Sequence, residues 1–161
     1  MNYKIKVYLD AGASIKNLKN YYSVLEFYQF PYDSTDRPKK AIKNEIIKLA
    51  IPSNPQWKDC NQTWKESNFT IEQLKPTCYY PLLKESIEKN SKKPKEKIRR
   101  DILHLDSAIK MSCKIFITSD REDILSNRDS IKNIYNLEIF QSDVEDSKLI
   151  EYIENILAKN Y

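Results

Sequence analysis

The run Lys114-Ile-Phe-Ile-Thr118 constrains this chain most. A strand this apolar reads as buried in a sheet, and it follows directly on a helical pattern. Ile98, Ile102, Leu105 and Ile109 recur at helical spacing between about Lys95 and Ser112. The same alternation appears elsewhere. In the opening stretch Tyr3, Ile5, Val7 and Leu9 point one way while Lys4, Lys6, Tyr8 and Asp10 point the other, a period-two strand ending at Asp10. "NLEIF", 136–140, is another short strand. Leu149, Ile150, Ile153, Ile156 and Leu157 stripe a last helix over about 142–159. Strands alternating with helices predict an α/β fold with a mainly parallel sheet.

Other segments read less sharply. Residues from Ala13 to about Tyr22 suggest a helix, and "VLEFYQF", 24–30, fits either a strand or the end of that helix. Asp36 or Thr35 can cap a helix with Pro38 in its first turn, running to about Ala50. Residues 53–80 suggest one or two short helices with loops, in which Trp57, Trp64, Tyr79 and Tyr80 serve packing or base stacking.

The 161 residues fit a single domain, and 40% hydrophobic composition supports a real core. A single glycine, Gly12, excludes a P-loop and a dinucleotide fingerprint. No apolar stretch approaches the ~18 residues of a membrane span. The first ten residues enter a strand pattern at once, so no signal peptide is read and a cytoplasmic protein is expected. Cys60, Cys78 and Cys113 form no CxxC pair and read as thiols in a reducing compartment. The net charge of +4 is uneven: Lys84–Arg100 holds eight basic and three acidic residues. Such a run is a solvated surface or a contact for phosphate backbones.

Carboxylates stand out against this frame. Asp10 and Asp120 lie at strand ends, where sites of open α/β sheets form. Ala41, Ile42, Ile46 and Leu49 make the apolar face of the helix expected before Ala50, and Glu45 falls inside that arc. Asp101 lies about 70° to one side of the apolar stripe of its helix and Asp106 about 70° to the other, so helical geometry does not choose between them. Ala108 leaves room on the Asp101 flank. Carboxylates crowding strand ends are costly unless something positive sits between them. An all-carboxylate set suits a hard divalent cation, Mg²⁺ or Mn²⁺.

"DILHLDSAIKMSCKIFITSDRED", 101–123, resembles a stretch of the PIN-domain ribonucleases, which include VapC-type toxins of toxin–antitoxin pairs. There an Asp opens a helix, a His often follows three later, and a strand ends in Thr-x-Asp. "VYLDAGASI" is similar to the family's first strand and first Asp, and "LEIFQSDVEDSKLIEYI" to its closing strand and helix. The steps fit as well: 35 residues from Asp10 to Glu45, 56 to Asp101 and 19 to Asp120. The likeness covers residues 3–15 and 98–157, with Glu45 between them.

The resemblance implies a three-layer α/β/α sandwich in one domain over 1–161, with an unmatched insertion at about 51–97. It implies an endoribonuclease dependent on Mg²⁺ or Mn²⁺. Asp10, Glu45, Asp101 and Asp120 would be its catalytic and metal-binding residues, Thr118 a supporting hydroxyl and Asp123 an acidic residue at the rim. Lys92, Lys93, Lys95, Lys97, Arg99 and Arg100 would hold the RNA backbone. A cognate antitoxin and a homodimer are expectations of the family. One departure is Gly12, where the family has Ser, Thr or Asn. The lone histidine, His104, reads as a structural hydrogen-bond partner. Repulsion among four close carboxylates predicts that Asp120→Asn stabilises the metal-free protein. Two alternatives compete: a PIN-like module that binds nucleic acid or protein without catalysis, and an α/β protein whose carboxylates are surface ion pairs.

Overall fold

The computed structural model describes residues 4–32, 46–59, 67–89 and 91–159. Five strands form one all-parallel sheet: β1 (Ile5–Leu9), β2 (Leu25–Gln29), β3 (Ile47–Leu49), β4 (Ile115–Thr118) and β5 (Glu138–Gln141). Among the described residues, five α-helices accompany them: α1 (Ile71–Leu74), α2 (Tyr80–Glu88), α3 (Lys95–Lys110), α4 (Arg128–Tyr135) and α5 (Asp146–Lys159). The fold is α/β.

Alternation along the strands splits the core into two layers. Ile5, Val7 and Leu9 of β1 join Phe27, Ile115, Ile117 and Phe140 in packing against Leu149 and Ile153 of α5. On the opposite face Tyr8, Tyr28 and Phe116 pack with Ile98, Ile102 and Leu105 of α3 and Ile131 of α4. Helices therefore cover both faces, as an all-parallel sheet requires. At about 25 cal/mol per Å², each fully buried Leu or Ile stabilises the fold by about 1.5–3 kcal/mol.

The strand order is β3-β2-β1-β4-β5. The chain builds outward from β1 to β3, then returns to the other side of β1 to lay down β4 and β5. The order thus reverses between β1 and β4, and the crevice beyond their carboxyl ends is the topological switch point. Asp10 directly follows β1 and Asp120 lies two residues after β4.

The helix expected up to Ala50 is corrected at its end, while residues 36–45 lie outside the described residues. Residues 47–49 are an edge strand, with Ile47 opposite Phe27 and Leu49 opposite Gln29 of β2. Ile47 is buried while Ile46 is 41% exposed, which is the alternation of a strand. The Ile46–Leu49 spacing suits a helix, but pairing with the open edge of β2 outweighs local preference. Glu45 lies outside the described residues, and the helical face used to place it does not extend through 46–49. Residues 24–30 resolve as β2, and the helix expected at 13–22 is a 3-10 turn over Lys16–Tyr21 that buries only Leu18. Among the described residues of 53–79 there is one turn of helix, α1, closed by a reciprocal Thr70–Gln73 capping box. Among the described residues, no helix is long and apolar enough to cross a membrane.

Candidate metal centre at the switch point

A cleft of about 350 Å³ opens at the switch point, lined by Asp10, Ala11, Lys93, Lys97, Arg100, Asp101, His104, Ser119 and Asp120. A larger one of about 420 Å³ lies between Pro55 and Trp57 on one side and Ile71 and Pro76 on the other. Its lining is mainly apolar, with Asn54 and Gln56 as neutral polar residues and Lys75 as its one charged residue.

Asp10 is 5% exposed. Its Oδ2 accepts from Thr118 Oγ1 at 2.6 Å and its Oδ1 from the Ala11 N–H at 2.8 Å. Thr118 Oγ1 also accepts from the Asp120 N–H at 2.9 Å. One hydroxyl at the end of β4 therefore links both strand-end aspartates. Gly12 has φ +75°, a left-handed turn that favours glycine, and a Cβ there would stand 3.5 Å from Ser119 Oγ. The turn after Asp10 is thus shaped by backbone conformation, and Thr118 and Ala11 supply the hydrogen bonds that hold the carboxylate.

Asp101 enters from α3. Asp106, five residues on, does not enter the cleft. It is fully buried, its Oδ2 accepts from Ser53 Oγ and from the Thr77 N–H at 3.0 Å, and its Oδ1 accepts from Thr77 Oγ1. His104, one turn beyond Asp101, stands with Nε2 3.7 Å from Asp10 Oδ1 and Nδ1 3.0 Å from Tyr8 Oη. Tyr8 Oη in turn accepts from the Phe30 N–H at 3.3 Å. This chain runs from sheet to helix behind Asp10 and orients the imidazole.

Lys93 holds a position the sequence did not suggest. Its ammonium group contacts Asp120 Oδ2 closely, Asp101 Oδ2 at 3.2 Å and Asp123 Oδ2 at 3.3 Å. Asp123 is 4% exposed and also accepts from Ser91 Oγ at 2.8 Å. No sequence signal separates Lys93 from its basic neighbours.

Burial sets the charge states. It pushes Asp101 up to about 7, with the Lys93 charge opposing it and the charges of Asp120 and Asp10 adding to it. Asp10 is pushed up to about 6 by burial, against the pull of the Thr118 and Ala11 hydrogen bonds. Asp120 goes the other way. Burial raises it too, but the Lys93 hydrogen bond and the N–H groups of Asp123 and Ile124 outweigh that and hold it below its usual value. Burial disfavours the Lys93 ammonium, yet Asp120 and Asp101 raise it above the usual lysine range.

The other expected RNA-holding residues divide. Lys97 and Arg100 line the cleft, and Lys92 and Lys95 are exposed. Arg99 forks onto Asp59 at 2.6 and 3.3 Å, a largely buried pair that ties residues 51–59 to α3. Cys78 and Cys113 are free thiols.

Among the described residues no three His, Cys, Asp or Glu side chains stand close enough to hold a metal ion as placed. Asp101, Asp120 and Asp123 close on an ammonium instead. The donor set nonetheless fits a hard divalent cation: it is all carboxylate oxygen, and Lys93 already stands in as a cation among it. No family model, curated protein or solved structure matches the chain.

Proposed function

We propose that the chain is a PIN-like, Mg²⁺- or Mn²⁺-dependent endoribonuclease. The observation that carries this reading is the convergence of Asp10, Asp101 and Asp120, from β1, α3 and the turn after β4, on one cleft at the switch point. Two of the three have carboxyls raised by burial, so the donors around them do not settle them as structural acids. A bound divalent ion would lower the pKa of water and stabilise charge on the scissile phosphate.

The chain's own residues do the rest. Thr118 and the Ala11 N–H fix the Asp10 carboxylate. The N–H groups of Asp123 and Ile124 fix Asp120. Lys97 and Arg100, at the cleft wall, draw in the RNA backbone. The protein would act in the cytoplasm, and an antitoxin gene beside its own would mark it as a toxin.

Purified protein should cleave single-stranded RNA with Mn²⁺ and not with EDTA, and Asp10→Asn should abolish cleavage while still folding. Absence of cleavage across a varied RNA set, together with no Mn²⁺-induced rise in melting temperature, would overturn the reading. A second reading, a non-catalytic binding module, is favoured by the ammonium of Lys93 among the carboxylates. It predicts no metal stabilisation.

A further inference from the structure

We propose that Lys93 is a resident cation of the cleft, and that a divalent ion enters only by displacing its ammonium group. This rests on reading the cleft as a metal centre. The ammonium bridges Asp101, Asp120 and Asp123, and the side chain is only 15% exposed. Asp101 and Asp120 are two of the residues a divalent ion would need. An ion taking their Oδ2 oxygens and the Lys93 ammonium would compete for one place, and two cations there repel at short range.

The turn that carries Lys93 is fastened in place. Ser91 Oγ donates to Asp123 Oδ2 at 2.8 Å and accepts from the Lys93 N–H at 3.2 Å. Pro94 follows with φ −56°, and its carbonyl accepts from the Lys97 N–H at 2.9 Å as α3 begins. The Lys93 backbone is therefore fixed close to the cleft, and only its flexible four-carbon stem has to swing for the ammonium to leave. Such a lysine does two things. It neutralises a buried acidic cleft when metal is scarce, which would otherwise strain the fold. It also raises the metal concentration at which the cleft fills, because the ion must first break three ion pairs.

The test compares Mn²⁺ binding to the wild-type chain and to Lys93→Gln by isothermal titration, with metal-free melting temperatures alongside. The expected result is at least tenfold tighter Mn²⁺ binding by Lys93→Gln and a lower metal-free melting temperature. Equal affinity in the two proteins overturns the resident-cation proposal and leaves the nuclease reading standing. Binding by Lys93→Gln alone supports the proposal and overturns the nuclease reading for the natural chain. Binding by neither overturns both. Should metal-free Lys93→Gln not fold, acetylation footprinting of the wild-type chain decides. Mn²⁺ should accelerate acetylation of Lys93 several-fold relative to Lys92 and Lys95, and an unchanged rate while Mn²⁺ binds overturns the proposal.

Discussion

Asp101 and Asp106 sit five residues apart on one helix, and they live in opposite electrostatic worlds. Asp106 is fully buried and meets three donors from two neutral residues, Ser53 and Thr77. Asp101 faces a cleft, carries a carboxyl raised to about 7 by burial, and pairs with the charge of Lys93. A carboxylate given enough hydrogen bonds is a structural fastener. One left short of them makes room for a cation.

The largest test of that contrast is Asp106→Ala. It leaves the donors of Ser53 and Thr77 unpaired in the core and should destabilise the fold by about 3–5 kcal/mol in urea denaturation, with Mn²⁺ binding by the surviving folded fraction unchanged. A destabilisation below about 1 kcal/mol would break the comparison. Next in size is Arg99→Gln, which removes the charge paired with the buried Asp59 carboxylate and should cost about 2–4 kcal/mol.

Asp101→Asn and Asp120→Asn should then differ in sign. The first removes a carboxyl whose ionised form is disfavoured, so metal-free stability at pH 8 should rise by about 1 kcal/mol while Mn²⁺ stabilisation disappears. The second sets a neutral amide –NH2 against the Lys93 ammonium in place of Oδ2 and leaves only an uncharged Oδ1 to accept from the N–H groups of Asp123 and Ile124, so metal-free stability should fall by about 1–2 kcal/mol. This reverses the expectation from carboxylate repulsion alone, which overlooked those donors.

A pH series sharpens the same point. Asp10 and Asp101 bind their protons more tightly folded than unfolded, with carboxyls near 6 and 7. Between about pH 4 and 7 the folded state therefore carries more protons, so metal-free stability falls as pH rises through that window. Mn²⁺ affinity should climb over the same range, because the ion needs both groups ionised. Thermal melts at pH 5 and 8, with EDTA and with Mn²⁺, read both slopes, and Asp101→Asn should flatten them. The smallest effect is at the rim: neutralising Lys97 and Arg100 should lower the log–log salt slope of RNA binding by about 0.7 for each phosphate they had neutralised.

Asp10 and Asp120 were legible because the strand patterns at 5–9 and 115–118 put them just beyond the carboxyl edge. The choice of Asp101 over Asp106 rests on the room beside Ala108 and on the family resemblance, since the helical wheel treats the two alike. What separates them is Thr77 and Ser53, which arrive from a segment with no periodic pattern. Lys93 was legible only as one more basic residue in a basic run. Its distinction is the fastening through Ser91 to Asp123, 32 residues away. Residues 46–50 misled because spacings of three and four satisfy a helix, while the open edge of β2 that recruits Ile47–Leu49 leaves no trace in the local sequence.

The seam between β1 and β4 also governs when the cleft can exist. Asp10 leaves the ribosome well before Thr118, which holds its carboxylate and comes 108 residues later. At synthesis rates of about 5–20 residues per second, that is a delay of seconds, during which β1 and β2 can pair but the cleft has only one wall. If the cleft cleaves RNA as proposed, a growing chain would be silent toward its own message until β4 slots in beside β1.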